Sequence, residues 1–132
     1  MKKSELLAEQ SRLLALANEM ARRHWDVDYT GTLTLTNRYW RRMDAAFAFN
    51  SETGRQEIRM SAPVNAEYGE EATYGNLLHE LVHWRLYTQG LPFSDEADEF
   101  IAECLRVGAP ISGATSARKA YERYLQAEKE VA

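Results

Sequence analysis

The sequence predicts an α+β protein: an N-terminal helix, a small three-stranded antiparallel sheet, then a long helix and further helices. Three observations lead there. Apolar residues recur at helical spacing over residues 4–23, the pattern switches to a period of two between about 30 and 61, and it turns helical again from about 69 onward. At 132 residues the chain suits a single domain over 1–132 with one modest core.

In the first helix Leu6, Leu7, Leu13, Leu14, Leu16, Ala17 and Met20 form the apolar stripe, and Ser4 is of an N-cap type. Residues 32–36 alternate threonine with Leu33 and Leu35, which places both leucines on one strand face. Residues 45–49 read as a second strand and 57–60 as a third, with the turn-rich 50–54 between them. Consecutive strands predict a meander, and Pro63 ends it. The helix from about 69 to 89 stops at Gly90, with Pro92 just beyond. The next helix is expected from Ser94 or Asp95 to Val107, closed by Gly108 and Pro110. A polar last helix covers about 116–130, with Ala120, Tyr121, Tyr124 and Leu125 as its packing residues.

Composition narrows the class. Apolar residues make up 45 % and charged residues 27 %, an ordinary globular balance. A net charge of −4 excludes a chain-wide basic field of the kind that gathers nucleic acid. Local basic clusters remain at Arg22-Arg23 and at Arg38 with Arg41-Arg42, where a solvated face is the default reading. Cys104 is the one cysteine, so neither an internal disulfide nor a cysteine-rich zinc ribbon can form within this chain. Met1-Lys2-Lys3 starts like a signal peptide, but Ser4, Glu5, Glu9, Gln10 and Arg12 interrupt any apolar continuation. With no membrane-length apolar run, the expectation is a soluble, cytoplasmic protein.

The chemistry sits in His79-Glu80-Leu81-Val82-His83. Histidines four apart on a helix lie on one face, one turn apart, and reach one metal ion. Glu80 lies beside them, placed to take a proton from water whose pKa zinc has lowered. A chance match to this pattern in a chain of this size is on the order of 1 %. Leu77, Leu78, Leu81, Val82 and Leu86 would bury the remaining faces. A catalytic zinc usually takes three protein ligands. His24, the one further histidine, lies at the end of the first helix and suits a structural or surface role. The other source is a carboxylate after the motif, where Asp95, Glu96, Asp98 and Glu99 crowd together. Acids are common in a first helical turn for dipole reasons alone.

These residues resemble the SprT/Spartan-like metallopeptidases over about residues 30–109, through the 57–61 strand, His79 to His83, Gly90, Asp98-Glu99-Phe100 and Val107-Gly108. The resemblance implies a zincin-like core with Zn2+ on His79 and His83 and Glu80 as general base. Its third histidine ligand falls on Glu96, or on Asp95 at some members' spacing. The two stay as alternatives, with the longer Glu96 side chain slightly favoured. Ser61 stands where the family's strand carries asparagine, and an extended polypeptide substrate is expected beside Ile58, Met60 and Ser61 as an added strand. Many relatives carry a zinc ribbon after the core, which a chain with one cysteine cannot form. Substrates bound to DNA are implied by the family. Tyr68, Tyr74 and Tyr87 are available as oxyanion donors, although they, like Trp25, Trp40 and Trp84, read first as packing residues. The alternative function is a zinc-binding, non-proteolytic adaptor that meets DNA or protein through Arg38, Arg41 and Arg42 with Tyr39 and Trp40. A structural domain without metal is the third.

Overall fold

The computed structural model describes residues 1–131. Its order is α1 (Lys3–Trp25), β1 (Thr32–Thr36), β2 (Ala45–Asn50), β3 (Arg55–Ser61), α2 (Ala62–Tyr68), α3 (Glu70–Thr88), α4 (Asp98–Val107) and α5 (Thr115–Val131). The α+β class and the leading helix agree with the sequence. The chain divides into two compact units, Met1–Leu81 and Val82–Ala132, with α3 continuous through the division.

In the first unit the sheet is mixed rather than antiparallel, and its order is β1-β3-β2. β3 pairs parallel to β1, with Leu33 opposite Ile58, and antiparallel to β2, with Phe47 opposite Ile58. A period of two tells which side chains share a face but not which strand is the neighbour. Burial decides it. Ile58 and Met60 are 0 % exposed, so the strand that carries them takes the centre, while β2 stays half-buried at an edge. α1 packs on β1 through its buried Leu13, Ala17, Met20 and Ala21 stripe. It also ties down the chain at β1: Leu35 N–H donates to Gln10 Oε1 and Tyr29 N–H to Asn18 Oδ1. Such a tie is one way to blunt a strand edge. Gly31 is required just before β1, since a Cβ there would lie 2.4 Å from the Tyr29 hydroxyl oxygen and 2.7 Å from the Gln56 carbonyl oxygen.

The inserted strand shapes what joins β1 to β2. Thr36 lies opposite Ser61 and Ala45 opposite Met60, so the 37–44 loop arches over the C-terminal end of β3. Ser61 belongs by register to the solvent side of the sheet, yet it is 0 % exposed. Its hydroxyl donates to the Arg38 carbonyl beneath that loop and accepts from Val64 N–H as the N-cap of α2. α2 was not expected. Pro63, read as the end of the sheet, lies in the first turn of this short helix, where its missing N–H costs nothing. On the solvent face of the sheet Glu57 accepts from the Thr34 hydroxyl and pairs with Arg55 and Arg59.

The second unit contains the end of α3, then α4 and α5. Gly90 follows α3 in the left-handed region, as its sequence position suggested. α4 begins at Asp98, with Ala97 as N-cap, and not at Ser94 or Asp95. Ala97 N–H instead closes a turn on the Ser94 carbonyl, which leaves Asp95 and Glu96 outside the helix. α4 buries Phe100, Ile101 and Cys104, ends at Gly108, and packs on α5, whose Ala117 and Ala120 are buried. Among the described residues no helix is long and apolar enough to cross a membrane.

Candidate metal centre

α3 carries the site and is apolar around most of its circumference, as a buried helix must be. Leu77, Leu78, Leu81, Val82, Trp84 and Leu86 are each at most 4 % exposed. Against that background His79, Glu80 and His83 are polar groups held at 9, 7 and 9 % exposure. One ligand atom from each lies within 4.8 Å of the others, so the three could hold a metal ion. His79 Nε2 is 3.7 Å from Glu80 Oε2. That is contact range without being a good hydrogen bond.

His83 has the more fully specified surroundings. Its Nδ1 meets the Phe93 carbonyl at 2.5 Å, and a carbonyl only accepts, so Nδ1 carries the proton. Nε2, across the ring, is the nitrogen left to face a metal. Asp95 Oδ1 lies 3.3 Å from that Nε2. Phe100 stacks on the imidazole with centroids 4.0 Å apart and planes at 17°. Phe93 is itself held by an edge-on contact with Tyr87. Tautomer, ring plane and a neighbouring carboxylate are thus all set around one histidine.

The two candidate third ligands separate. Asp95 is beside His83, whereas Glu96 Oε1 accepts from the Ser116 hydroxyl at 2.9 Å. The turn at 94–97 is the reason, since it sends adjacent side chains in different directions where a helix would have kept both near its first turn. The longer Glu96 side chain, slightly favoured on reach alone, is engaged with Ser116 in this structure. His24 is half-buried beside Trp25 at the end of α1.

The expectation of an added strand at Ile58, Met60 and Ser61 is corrected. All three are 0 % exposed, and β3 is hydrogen-bonded on both sides. Arg38, Arg41 and Arg42 are exposed, Tyr68 is 57 % exposed, and Trp84 belongs to the core. The Phe93 carbonyl was invisible in the sequence, because a backbone acceptor leaves no residue signature. Phe100 was noticed only as a landmark of resemblance.

Two imidazoles and a carboxylate, one imidazole oriented by a backbone carbonyl, form a donor set that could hold a metal ion. No protein-family model matches this chain, and no curated protein and no solved structure matches it significantly.

Proposed function

We propose that this protein is a zinc-dependent peptidase of the SprT/Spartan-like kind, with His79 and His83 as ligands and Glu80 as general base. The observation that carries the reading is the grouping of His79, Glu80 and His83 within 4.8 Å on a buried helix. Three polar side chains at 9 % exposure or less are expensive in a core unless they serve one another or a ligand.

Asp95 is the proposed third ligand, on its approach to His83 Nε2. A zinc ion bound there would supply Lewis acidity, bringing the pKa of water toward neutrality. The rest is the work of this chain's own groups. Glu80 accepts a proton from water and returns it to the departing amine. Burial keeps bulk water from competing at the carboxylate, and the Phe93 carbonyl holds the His83 proton on the nitrogen that faces away from the ion. With β3 closed on both sides, β1 and β2 are the edge strands; α1 engages β1 through Gln10, so β2 (Ala45–Asn50) is the edge offered to an extended polypeptide.

The test is Glu80→Gln, which keeps the shape and removes the base. Zinc binding is expected to stay within about threefold, while hydrolysis of an unfolded protein substrate falls by about 100-fold or more. Unchanged hydrolysis in the variant would reject the mechanism. Zinc well below one ion per chain in the loaded wild type would reject the site itself.

A further inference from the structure

We propose that Phe47 and Phe49 make the β2 edge selective for extended polypeptide segments whose apolar side chains stand at alternate positions. That such a segment arrives as substrate rests on the peptidase reading. The selectivity itself rests on the sheet.

The first argument is that this edge is unguarded. Natural sheets blunt an edge with charges, proline, a bulge or a covering element, because its unpaired N–H and C=O groups recruit other chains. β2 has none of the first three. Residues 45–50 read Ala-Ala-Phe-Ala-Phe-Asn, with neither a charge nor a proline. The register with β3 runs without a skip from Ala45 opposite Met60 to Asn50 opposite Arg55, so no bulge interrupts it. The other edge differs, since the Leu35 N–H of β1 is taken by Gln10 of α1.

The second argument is where the aromatic rings lie. Residues opposite one another in an antiparallel pair share a face. Phe47 lies opposite Ile58, and Ile58 and Met60 are 0 % exposed, so the odd-numbered positions of β2 belong to the core face. Yet Phe47 is only half-buried and Phe49 is 47 % exposed. α1 packs on β1 and α2 on β3, and the exposure of Phe49 shows that this cover stops short of the β2 margin. The two rings stack with centroids 5.9 Å apart and planes at 21°. They form an apolar shelf beside an open row of backbone groups. On the outer face β2 carries only Ala46 and Ala48, opposite Arg59 and Glu57.

The occupant follows from this asymmetry. An added strand would set every second side chain on the phenylalanine side, about 6.8 Å apart and about 5 Å from the β2 residue it opposes. The stacked rings meet two such side chains in succession, and apolar ones gain most from the contact. The intervening side chains meet the methyl groups of Ala46 and Ala48, which discriminate little. The selected pattern is apolar, any, apolar: that of a half-buried strand, exposed once its own protein unfolds. A second copy of this chain is the poorer occupant. Two β2 strands would pair six residues from each copy, against the roughly 20–30 a side of a stable interface.

The experiment is fluorescence anisotropy with the full chain as its Glu80→Gln variant, so that binding is read without turnover. Labelled peptides of about ten residues carry valines at alternate positions among serine and lysine, or the same residues with the valines adjacent. The alternating peptide is expected to bind about fivefold tighter or more. Adding Phe49→Ser is expected to remove that preference, and Phe49→Leu to keep it within about twofold. Leu125→Ser, which changes an exposed apolar side chain elsewhere, should leave binding as it was. Strand pairing carries a further signature: N-methylation of every second peptide amide should abolish binding in one of the two alternate sets and spare the other. Circular dichroism melts check that each variant is folded. Equal affinity for the two peptides, an unchanged preference in Phe49→Ser, or equal loss from both methylated sets would overturn the proposal. So would a dimer in sedimentation that dissociates in Phe49→Ser, since the edge would then belong to a second copy. Alternation-selective binding without hydrolysis by wild type would uphold the edge and reject the peptidase reading. Hydrolysis blind to alternation would do the reverse.

Discussion

Ser61 joins the sheet, the α2 cap and the exposed loop, so Ser61→Ala is the most informative single change to the scaffold. Two interactions are lost. The hydroxyl accepts from Val64 N–H at 3.3 Å, a long bond, so the cap is at the lower end of the usual range, about 0.5–1 kcal/mol. It also donates to the Arg38 carbonyl, which would be left without its partner over a residue that is 0 % exposed. Leaving a backbone acceptor unsatisfied costs about 1–3 kcal/mol, and water reaching the exposed loop from outside holds this to about 1. Together the expected loss is about 2 kcal/mol, or about 6–10 °C in melting temperature for a chain of this size. Far-UV circular dichroism measures it by thermal melts and by urea titration fitted with a shared slope. Ser51→Ala, in the exposed turn before β3, is the control and should stay within about 0.5 kcal/mol. A stability loss no larger than the control's would refute the reasoning that Ser61 couples cap and loop.

Asp95→Ala should lower zinc affinity about tenfold or more, while Glu96→Ala should leave it within about twofold; competition against a chromogenic chelator measures both, and the reverse ranking would move the ligand to Glu96. The Glu57 carboxyl is pushed up by burial, but the Thr34 hydroxyl with Arg55 and Arg59 outweighs this and holds it below the usual carboxylate range. A depressed folded value means the stabilisation is present above the unfolded value near 4.3 and is lost as pH falls below it through the folded value. Urea midpoints should therefore drop more steeply between about pH 5 and pH 2 in wild type than in Glu57→Gln; parallel curves would contradict the network.

Much of the local structure was legible because it is written in short periods. The α1 stripe, the three strands, the α3 stop at Gly90 and the α4 stop at Gly108 all followed from nearest-neighbour chemistry. α2 was missed although its signal was present, since Ser61 followed by Pro63 is a cap with a first-turn proline. The α4 start was misplaced because Ser94 and Asp95 are of cap type, while the helix begins after an Ala97 cap that has no side-chain bond.

By itself the sequence determined that two imidazoles would share one face of a helix, one turn apart, with a carboxylate at the position next to the first. The helical period follows from local backbone dihedrals and i→i−4 hydrogen bonds, so it is legible wherever the helix is. It likewise determined which side chains of each strand lie together. Only the tertiary structure decided that β3 sits between β1 and β2, because strand order depends on which apolar pair is buried most completely. That insertion closed β3 to substrate and forced the basic 37–44 loop to arch outward. The fold also placed Asp95 beside His83 and Glu96 against Ser116. That placement rests on a turn whose geometry depends on the Ser94 carbonyl and on a His83 ring held by Phe93 and Phe100, and those contacts span up to 17 positions of sequence that no local pattern connects.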